Sequence, residues 1–256
     1  MKAASFNANS LRSRVGIILD WLDQNQPDIL CVQETKVQDE DFPHEAFEQS
    51  GYNYVFRGEK KYNGVAIFSR DRIVNVEYGL LNEPRDEARL IKASIGGINV
   101  VNTYIPQGYD VQSDKFEYKL QWFKRLKTYF AKKFKPCDYV LWMGDFNVAP
   151  EPRDVYDPDK LSGSVCFHPA EHKALGEVMR WGFVDIFRLH CEEEGQFTFW
   201  DYRIINGCER NLGWRLDHIM ATQVLSQKSI SSYIDRRPRL AIKPSDHTFI
   251  VAEFDL

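Results

Sequence analysis

Nothing in this chain approaches the ~18 consecutive apolar residues that a helix needs to cross a bilayer. The opening MKAASFNANS has no apolar segment ahead of a cleavage site. The sequence is therefore expected to belong to a soluble, cytoplasmic protein with no membrane partner. Cysteine is sparse: five residues (31, 137, 166, 191 and 208) are scattered, odd in number and without a CxxC pair. That argues against a zinc site or a disulfide framework and fits a reducing compartment. There is no Gly/Ser linker, no low-complexity tract and no repeat of fixed period, so residues 1–256 read as one domain. Nor is positive charge in excess. With 33 basic against 37 acidic residues the net charge is −4, so a polyanion would have to be met by a local basic face.

What the chain does have is material for a large core, being 43% hydrophobic and 14% aromatic. Short apolar runs recur: PDILCVQE (27–34), NGVAIFS (63–69), GINVVNTYIP (97–106), YVLWMG (139–144), LDHIMAT (216–222) and TFIVAEF (248–254). Rich in Val, Ile and aromatics and bounded by Gly, Pro, Asn or Asp, they read as strands. Several are apolar on both alternating faces, which implies sheets covered on both sides. The Asn-Gly pairs at 63–64 and 206–207 suggest tight hairpin turns. Helical patterns lie between the runs. Residues 11–25 carry one apolar face after Ser10 as cap; 43–50 and 169–181 are shorter. Residues 115–135 carry eight Lys/Arg against the single acid Glu117. That face is either simply solvated or a direct DNA contact. The simplest architecture is of the α/β (α+β) class, with two mixed β-sheets packed face to face and helices outside.

The apolar strands share one peculiarity at their ends. ILCVQE ends on Glu34, INVVNTY on Tyr104 and YVLWMGDFN on Asp145 and Asn147, while SFNAN places Asn7 and Asn9. The strand in WRLDHIMAT begins on Asp217, and PSDHTFIVAEF begins on Asp246 and His247. Each alone is ordinary turn or cap chemistry. In antiparallel neighbours, however, the end of one strand lies beside the start of the next, so these groups can gather at one edge. Clustered carboxylates repel unless a cation neutralises them, and oxygen donors without Cys suit a hard ion such as Mg²⁺ or Mn²⁺. A His held by an Asp, a Tyr hydroxyl and such an ion together describe phosphodiester hydrolysis.

The residues that carry this chemistry stand in SFNANSLRSR (5–14), PDILCVQETKV (27–37), NTYIPQG (102–108), MGDFNVAP (143–150), GFVDIFR (182–188), FTFWDYR (197–203), NLGWRLDHI (211–219) and KPSDH (243–247). In this order they resemble the exonuclease III / abasic-site (AP) endonuclease family, within the endonuclease–exonuclease–phosphatase superfamily. The resemblance runs along essentially the whole chain. QETK, FTFWDYR and GWRLD are particular to the DNA-repair branch, and QETKVQDEDFP resembles its bacterial exonuclease III side.

The resemblance implies a four-layered α/β sandwich and a Mg²⁺-dependent nuclease, with Mn²⁺ as a substitute. Its implied partner is double-stranded DNA containing abasic sites or 3′ ends, handled by a monomer in the nucleoid. It implies catalytic roles for Tyr104, Asp145, Asn147, Asp217 and His247. Glu34 is the implied principal metal ligand, with Asn7, Asp145, Asn147, Asp246 and His247 around the ion. Whether Asp145 or His247 is the base stays open. A slot for the baseless sugar is implied at Phe199, Trp214 and Leu216, whose plainer reading is core packing. Arg89, Gln107, Lys115, Trp200, Arg210, Asn211 and Arg215 are the implied DNA contacts. The chain departs from the family where Gln107, Tyr109 and Asn9 replace commoner residues and where the loop before RNLGWR is longer. Those changes bear on the balance among incision, 3′→5′ exonuclease and 3′-end trimming. The competing readings are a superfamily phosphodiesterase acting on lipid, inositol phosphate or RNA ends, and a non-catalytic DNA-binding relative.

Overall fold

The apolar runs become strands because their two faces find two different covers. In a computed structural model, which describes residues 1–80 and 87–256, the strands are β1 (Lys2–Asn7), β2 (Ile29–Gln33), β3 (Asn53–Arg57), β4 (Val65–Ser69), β5 (Val74–Tyr78), β6 (Leu90–Ile95), β7 (Ile98–Tyr104), β8 (Val140–Asp145), β9 (Phe183–Asp185), β10 (Asp217–Thr222), β11 (Ser229–Asp235) and β12 (Phe249–Phe254). The helices are α1 (Leu11–Asn25), α2 (His44–Phe47), α3 (Asp114–Lys133), α4 (Pro158–Leu161), α5 (Pro169–Met179), α6 (Ile186–His190) and α7 (Gln223–Ser226). One six-stranded sheet has the order β11-β12-β1-β2-β4-β3, and the other β5-β6-β7-β8-β10-β9. Both are mixed: β1 and β2 run parallel, as do β7 and β8, beside antiparallel neighbours.

The sheets meet through Ile29, Ile67, Val100, Leu141, Met143, Ile219 and Ile250. Outside the first sheet, Leu11, Ile18, Trp21 and Leu22 of α1 cover Leu30 and Phe249. Outside the second, Trp122, Phe123 and Phe130 of α3, with Leu175 and Val178 of α5, cover Val101 and Trp142. Strand β8 shows why a run can be apolar throughout: Leu141 and Met143 face the other sheet, while Val140 and Trp142 face the helices. Each such side chain contributes about 1.5–3 kcal/mol by leaving water. The result is helix, sheet, sheet, helix, as the sequence suggested. Among the described residues no helix is long and apolar enough to cross a membrane.

Local expectations needed correction in two places. Neither Asn-Gly pair closes a two-residue hairpin: Asn63–Gly64 ends a longer connection from β3 to β4, and Asn206–Gly207 lies in a succession of turns. The tight hairpin is Gly96–Gly97, where β6 returns as β7 with Ile95 opposite Ile98. Their φ values of 55° and 83° are ones that glycine adopts without a Cβ clash. Ser10 precedes α1 but its side chain caps nothing. Instead the Ser10 and Leu11 amides donate to the Glu34 and Thr35 carbonyls at 2.8 and 2.9 Å. The start of α1 is thus tied to the loop after β2.

Candidate active site

The register of the two sheets brings the polar strand ends together. In the second sheet Asp145 pairs with Tyr104 of parallel β7 and with Asp217 of antiparallel β10, so three site residues form a row across three strands. In the first sheet Asn7 pairs with Gln33, and Glu34 follows at once. The rows face each other. The Asn7 Nδ2 amide donates to Glu34 Oε1 and to Asp145 Oδ2, each at 2.8 Å, and so bridges the sheets.

Asp145 reaches this point because Gly144 precedes it. Gly144 has φ 145°, and a Cβ there would stand 1.9 Å from the Thr103 carbonyl oxygen, so β7 and β8 approach as only glycine permits. The turn that follows is also turn chemistry: the Asn147 amide nitrogen donates to Asp145 Oδ1 at 2.8 Å, and Asn147 takes the left-handed φ of 51°. One short segment therefore ends the strand and aims the carboxylate. Glu34 and Lys36 are likewise left-handed, at φ 49° and 50°, and non-glycine residues held so cluster at functional sites.

His247 is buried and its ring is gripped from two sides. Nδ1 lies 2.7 Å from Asp217 Oδ2, and Nε2 lies 3.9 Å from Asp145 Oδ2. Burial disfavours the imidazolium, but the Asp217 and Asp145 carboxylates overcome it and push the His247 pKa up to about 10. Asp145 is pushed up to about 7 by burial; the imidazolium opposes this and the Asp217 and Glu34 charges add to it. Glu34 behaves oppositely. Burial would raise it, yet the Lys36 ammonium, at 2.7 Å from Oε2, holds its pKa below the usual carboxylate value. Burial keeps the Tyr104 phenol well above its ordinary value, with Glu34 adding, so it stays a neutral donor; its hydroxyl bonds Glu34.

Oxygens of Glu34 and Asp145 and a ring nitrogen of His247 lie within 4.8 Å of one another. The two carboxylates, without thiolate, fit a hard divalent cation, and His247 would join them only on giving up a proton. Of the other ligands expected from the sequence, Asp246 lines the same cleft and accepts from Asn9 Nδ2 at 2.9 Å. Asn7 and Asn147 turn their NH₂ groups toward Asp145, the latter at 3.2 Å, so they stand as donors to the carboxylates.

The cleft holds about 600 Å³ and is lined by Glu34, Tyr104, Gln107, Asn147, Phe199, Trp214, Leu216, Asp246 and His247, among others. Phe199 stacks obliquely on His247, with ring centroids 4.8 Å apart, and on Trp214 at 5.7 Å. Arg89 does not point into this space. It lies over the Tyr104 ring at 4.8 Å and donates to the Tyr104 carbonyl at 3.3 Å. Lys115 is exposed, 4.9 Å from the Tyr109 ring. Arg210 and Asn211 line a separate cavity with Arg153 and Tyr156. Trp200 is fully buried, with the Arg236 and Arg239 guanidinium groups 5.0 and 5.7 Å from its ring and its indole donating to Asn211 Oδ1 at 3.3 Å.

Arg215 is the clearest correction. It was expected on DNA phosphates, but it is fully buried. It bonds both oxygens of Asp154 at 2.7 and 3.0 Å, Asp185 at 2.8 Å and His218 at 2.9 Å. A guanidinium so enclosed meets no phosphate; it fixes the segment leading to Leu216 and Asp217. Burial alone would raise the Asp154 pKa, but Arg215 and Arg188 outweigh it and hold it down to about 2. A depressed folded pKa contributes stability above the unfolded value of ~3.9, lost as pH falls toward the folded one. The expected linkage is on the order of 2 kcal/mol, so the stability gap between wild type and Asp154→Asn should narrow between about pH 4 and pH 2. Urea unfolding at stepped pH measures it. Parallel curves would show that Asp154 carries no such linkage.

Two functional groups escaped the sequence reading. Lys36 bridges Glu34 and Asn9, with Nζ 2.6 Å from Asn9 Oδ1. Its signal was its place two residues after Glu34 in QETK. Cys166 lines the cleft with its thiol 3.9 Å from Asn147 Oδ1, and no sequence pattern marks it.

The sequence matches the Endonuclease/Exonuclease/phosphatase family over residues 4–247. It is 33% identical to an exodeoxyribonuclease III of Haemophilus influenzae, over 99% of this chain and 100% of that one. The structure superimposes on an AP endonuclease from Archaeoglobus fulgidus with a TM-score of 0.97 and 49% identity, covering 100% of each chain. It also superimposes on a 3′ phosphatase from Neisseria bound to a product DNA hairpin, with a TM-score of 0.94, 34% identity and 100% of each chain covered.

Proposed function

Because the chain belongs to the Endonuclease/Exonuclease/phosphatase family, we propose that it incises duplex DNA on the 5′ side of an abasic site. It is a phosphodiester hydrolase of the DNA-repair AP endonuclease and exonuclease type. Incision would leave a 3′-hydroxyl and a 5′ sugar-phosphate, and the same centre would trim 3′ ends. The observation that carries this reading is the position of Asp145. It is bound by Asn7 across the sheets, faces His247–Asp217, and stands beside a cleft walled by Phe199, Trp214 and Leu216.

Glu34 and Asp145, with Asp246 nearby, would hold the divalent cation; Mg²⁺ fits the oxygen-rich set and Mn²⁺ would substitute. The cation would neutralise charge developing on the phosphate and its leaving oxygen. The remaining chemistry belongs to the chain. In the cation-free protein burial pushes the Asp145 pKa up to about 7, and a carboxylate so raised would accept a proton from the attacking water. His247 is held as imidazolium and would therefore brace the phosphate as a donor. Between the two candidate bases this electrostatic arrangement favours Asp145. Tyr104, a neutral phenol, would donate to the same phosphate, and Asn147 would keep Asp145 aimed. The aromatic slot would take the flipped baseless sugar and refuse a normal nucleotide on size.

A duplex oligonucleotide with one synthetic abasic site tests the proposal, beside an undamaged duplex, with Mg²⁺ or EDTA. Cutting 5′ to the lesion that is lost in EDTA is expected. Resection of both duplexes from their 3′ ends alone would make the enzyme chiefly an exonuclease. No metal-dependent cleavage of either would overturn the DNA reading.

A further inference from the structure

Of the eight cations in the basic run 115–135, one is fully buried and the rest are exposed or, at Arg125, half-buried. Lys119 is fully buried, while Lys115, Lys124, Lys127, Lys132, Lys133 and Lys135 are exposed. Its ammonium pairs with Glu171, which is equally buried, and donates to the Asn147 carbonyl at 2.7 Å and the Gln107 carbonyl at 3.2 Å. Three donors meet three acceptors, which uses the full capacity of a lysine head. Glu171 in turn accepts from the Cys166 and His168 amides at 3.2 and 3.0 Å. Three chain segments that line the cleft, at Gln107, Asn147 and Cys166, are therefore joined by one buried ion pair. Residues Cys166 and Phe167 then pack in one cluster with Leu216, Phe199 and Trp214.

We propose that Lys119 and Glu171 are positioning residues that set the geometry of the damage slot and of the Asn147 turn that aims Asp145. The proposal rests on the DNA reading above. Neither residue touches substrate; they act through the backbone of the residues that would. A buried ion pair contributes little net stability compared with apolar residues of similar volume, whereas removing one partner strands the other. That asymmetry separates a structural role from a positioning one. The double replacement Lys119→Met with Glu171→Leu removes both charges and leaves the helix packing, but no thioether or methyl group can hold two carbonyls and two amides.

The test compares wild type, this double variant and Glu171→Gln. Steady-state incision of the abasic duplex gives kcat and KM. Maleimide labelling of Cys166, in a background with Cys137, Cys191 and Cys208 changed to Ser, reports the looseness of the segment without any turnover. The double variant is expected to fold, to melt below wild type because two carbonyls and two amides lose their partners, and to keep its KM. Its kcat should fall about 100-fold, the size of effect a displaced reacting group produces. Cys166 should label several-fold faster as the segment opens locally. A folded double variant with wild-type kcat and labelling rate would overturn the proposal. If that variant does not fold, Glu171→Gln decides by the same two readouts, since it keeps a hydrogen-bonding side chain but drops the charge. A wild type that never cuts abasic DNA, with labelling still faster in the variants, would retire the DNA reading and not the pair's hold on the segment.

Discussion

Changing Asp145 to Asn is expected to lower kcat on an abasic duplex by about 10³-fold, equivalent to ~4 kcal/mol of barrier. The substitution conserves volume, so the packing of β8 between its two covers survives. The Asn147 amide can still donate to the remaining oxygen. What is lost is the group raised to take a proton, and with it one of the carboxylates that hold His247 charged. In addition, the Asn7 amide that now donates to Asp145 Oδ2 would face an NH₂ group, a repulsive pairing. Affinity for DNA should change far less, since phosphate contacts along the duplex supply most of it. Single-turnover incision beside a binding titration separates the two effects, and a thermal melt checks the fold. Retention of about a tenth or more of kcat would move the base to His247, because a true general base supplies 10²–10⁴-fold.

The fold was legible where strands are buried on both faces and faint where they are not. The six apolar runs became β2, β4, β7, β8, β10 and β12, which lie inside the two sheets. Strands β3, β5, β9 and β11, the four sheet edges, gave no apolar run. An edge strand such as SISSYID is only partly covered, with Ile230 and Tyr233 exposed, so its composition resembles a loop. Strand β6 is central but carries Lys92, whose ammonium reaches out to the Asn75 carbonyl at 3.2 Å and interrupts the apolar pattern. The site was legible for a related reason. Polar groups at the ends of apolar strands stand out from their surroundings, and register alone then aligns Tyr104, Asp145 and Asp217.

Cations were the least legible class. A sequence cannot distinguish Arg215, enclosed by Asp154 and Asp185, or Lys119, enclosed by Glu171, from the solvated Lys115. Their partners are distant in the chain and adjacent only in space. The left-handed backbone at Glu34 and Lys36 was equally hidden, because it is imposed by the neighbouring turn: the Thr35 and Lys36 amides donate to the Gly64 and Asn63 carbonyls at 3.2 and 2.9 Å.

Replacing Asp217 by Asn should cost about 10²–10⁴-fold in kcat, although this residue would touch no substrate atom. Asp217 is fully buried, its amide anchored by Thr198 Oγ1 at 3.0 Å, so its carboxylate is fixed before His247 is considered. Its Oδ2 holds the ring Nδ1 at 2.7 Å, which keeps that nitrogen protonated and turns Nε2 toward Asp145. Burial works against the imidazolium, and Asp217 is the first of the charges that reverse it. An asparagine keeps the shape but offers no charge, and its amide can present an NH₂ to Nδ1 and favour the opposite tautomer. Transition-state charge on the phosphate would then face a neutral or misaligned ring. Nitrogen NMR of His247 in the metal-free protein is expected to show both ring nitrogens protonated at neutral pH in wild type and one in the variant. An unchanged kcat with the ring neutral would remove the imidazolium from the reaction, leaving Tyr104 and the cation to stabilise the phosphate.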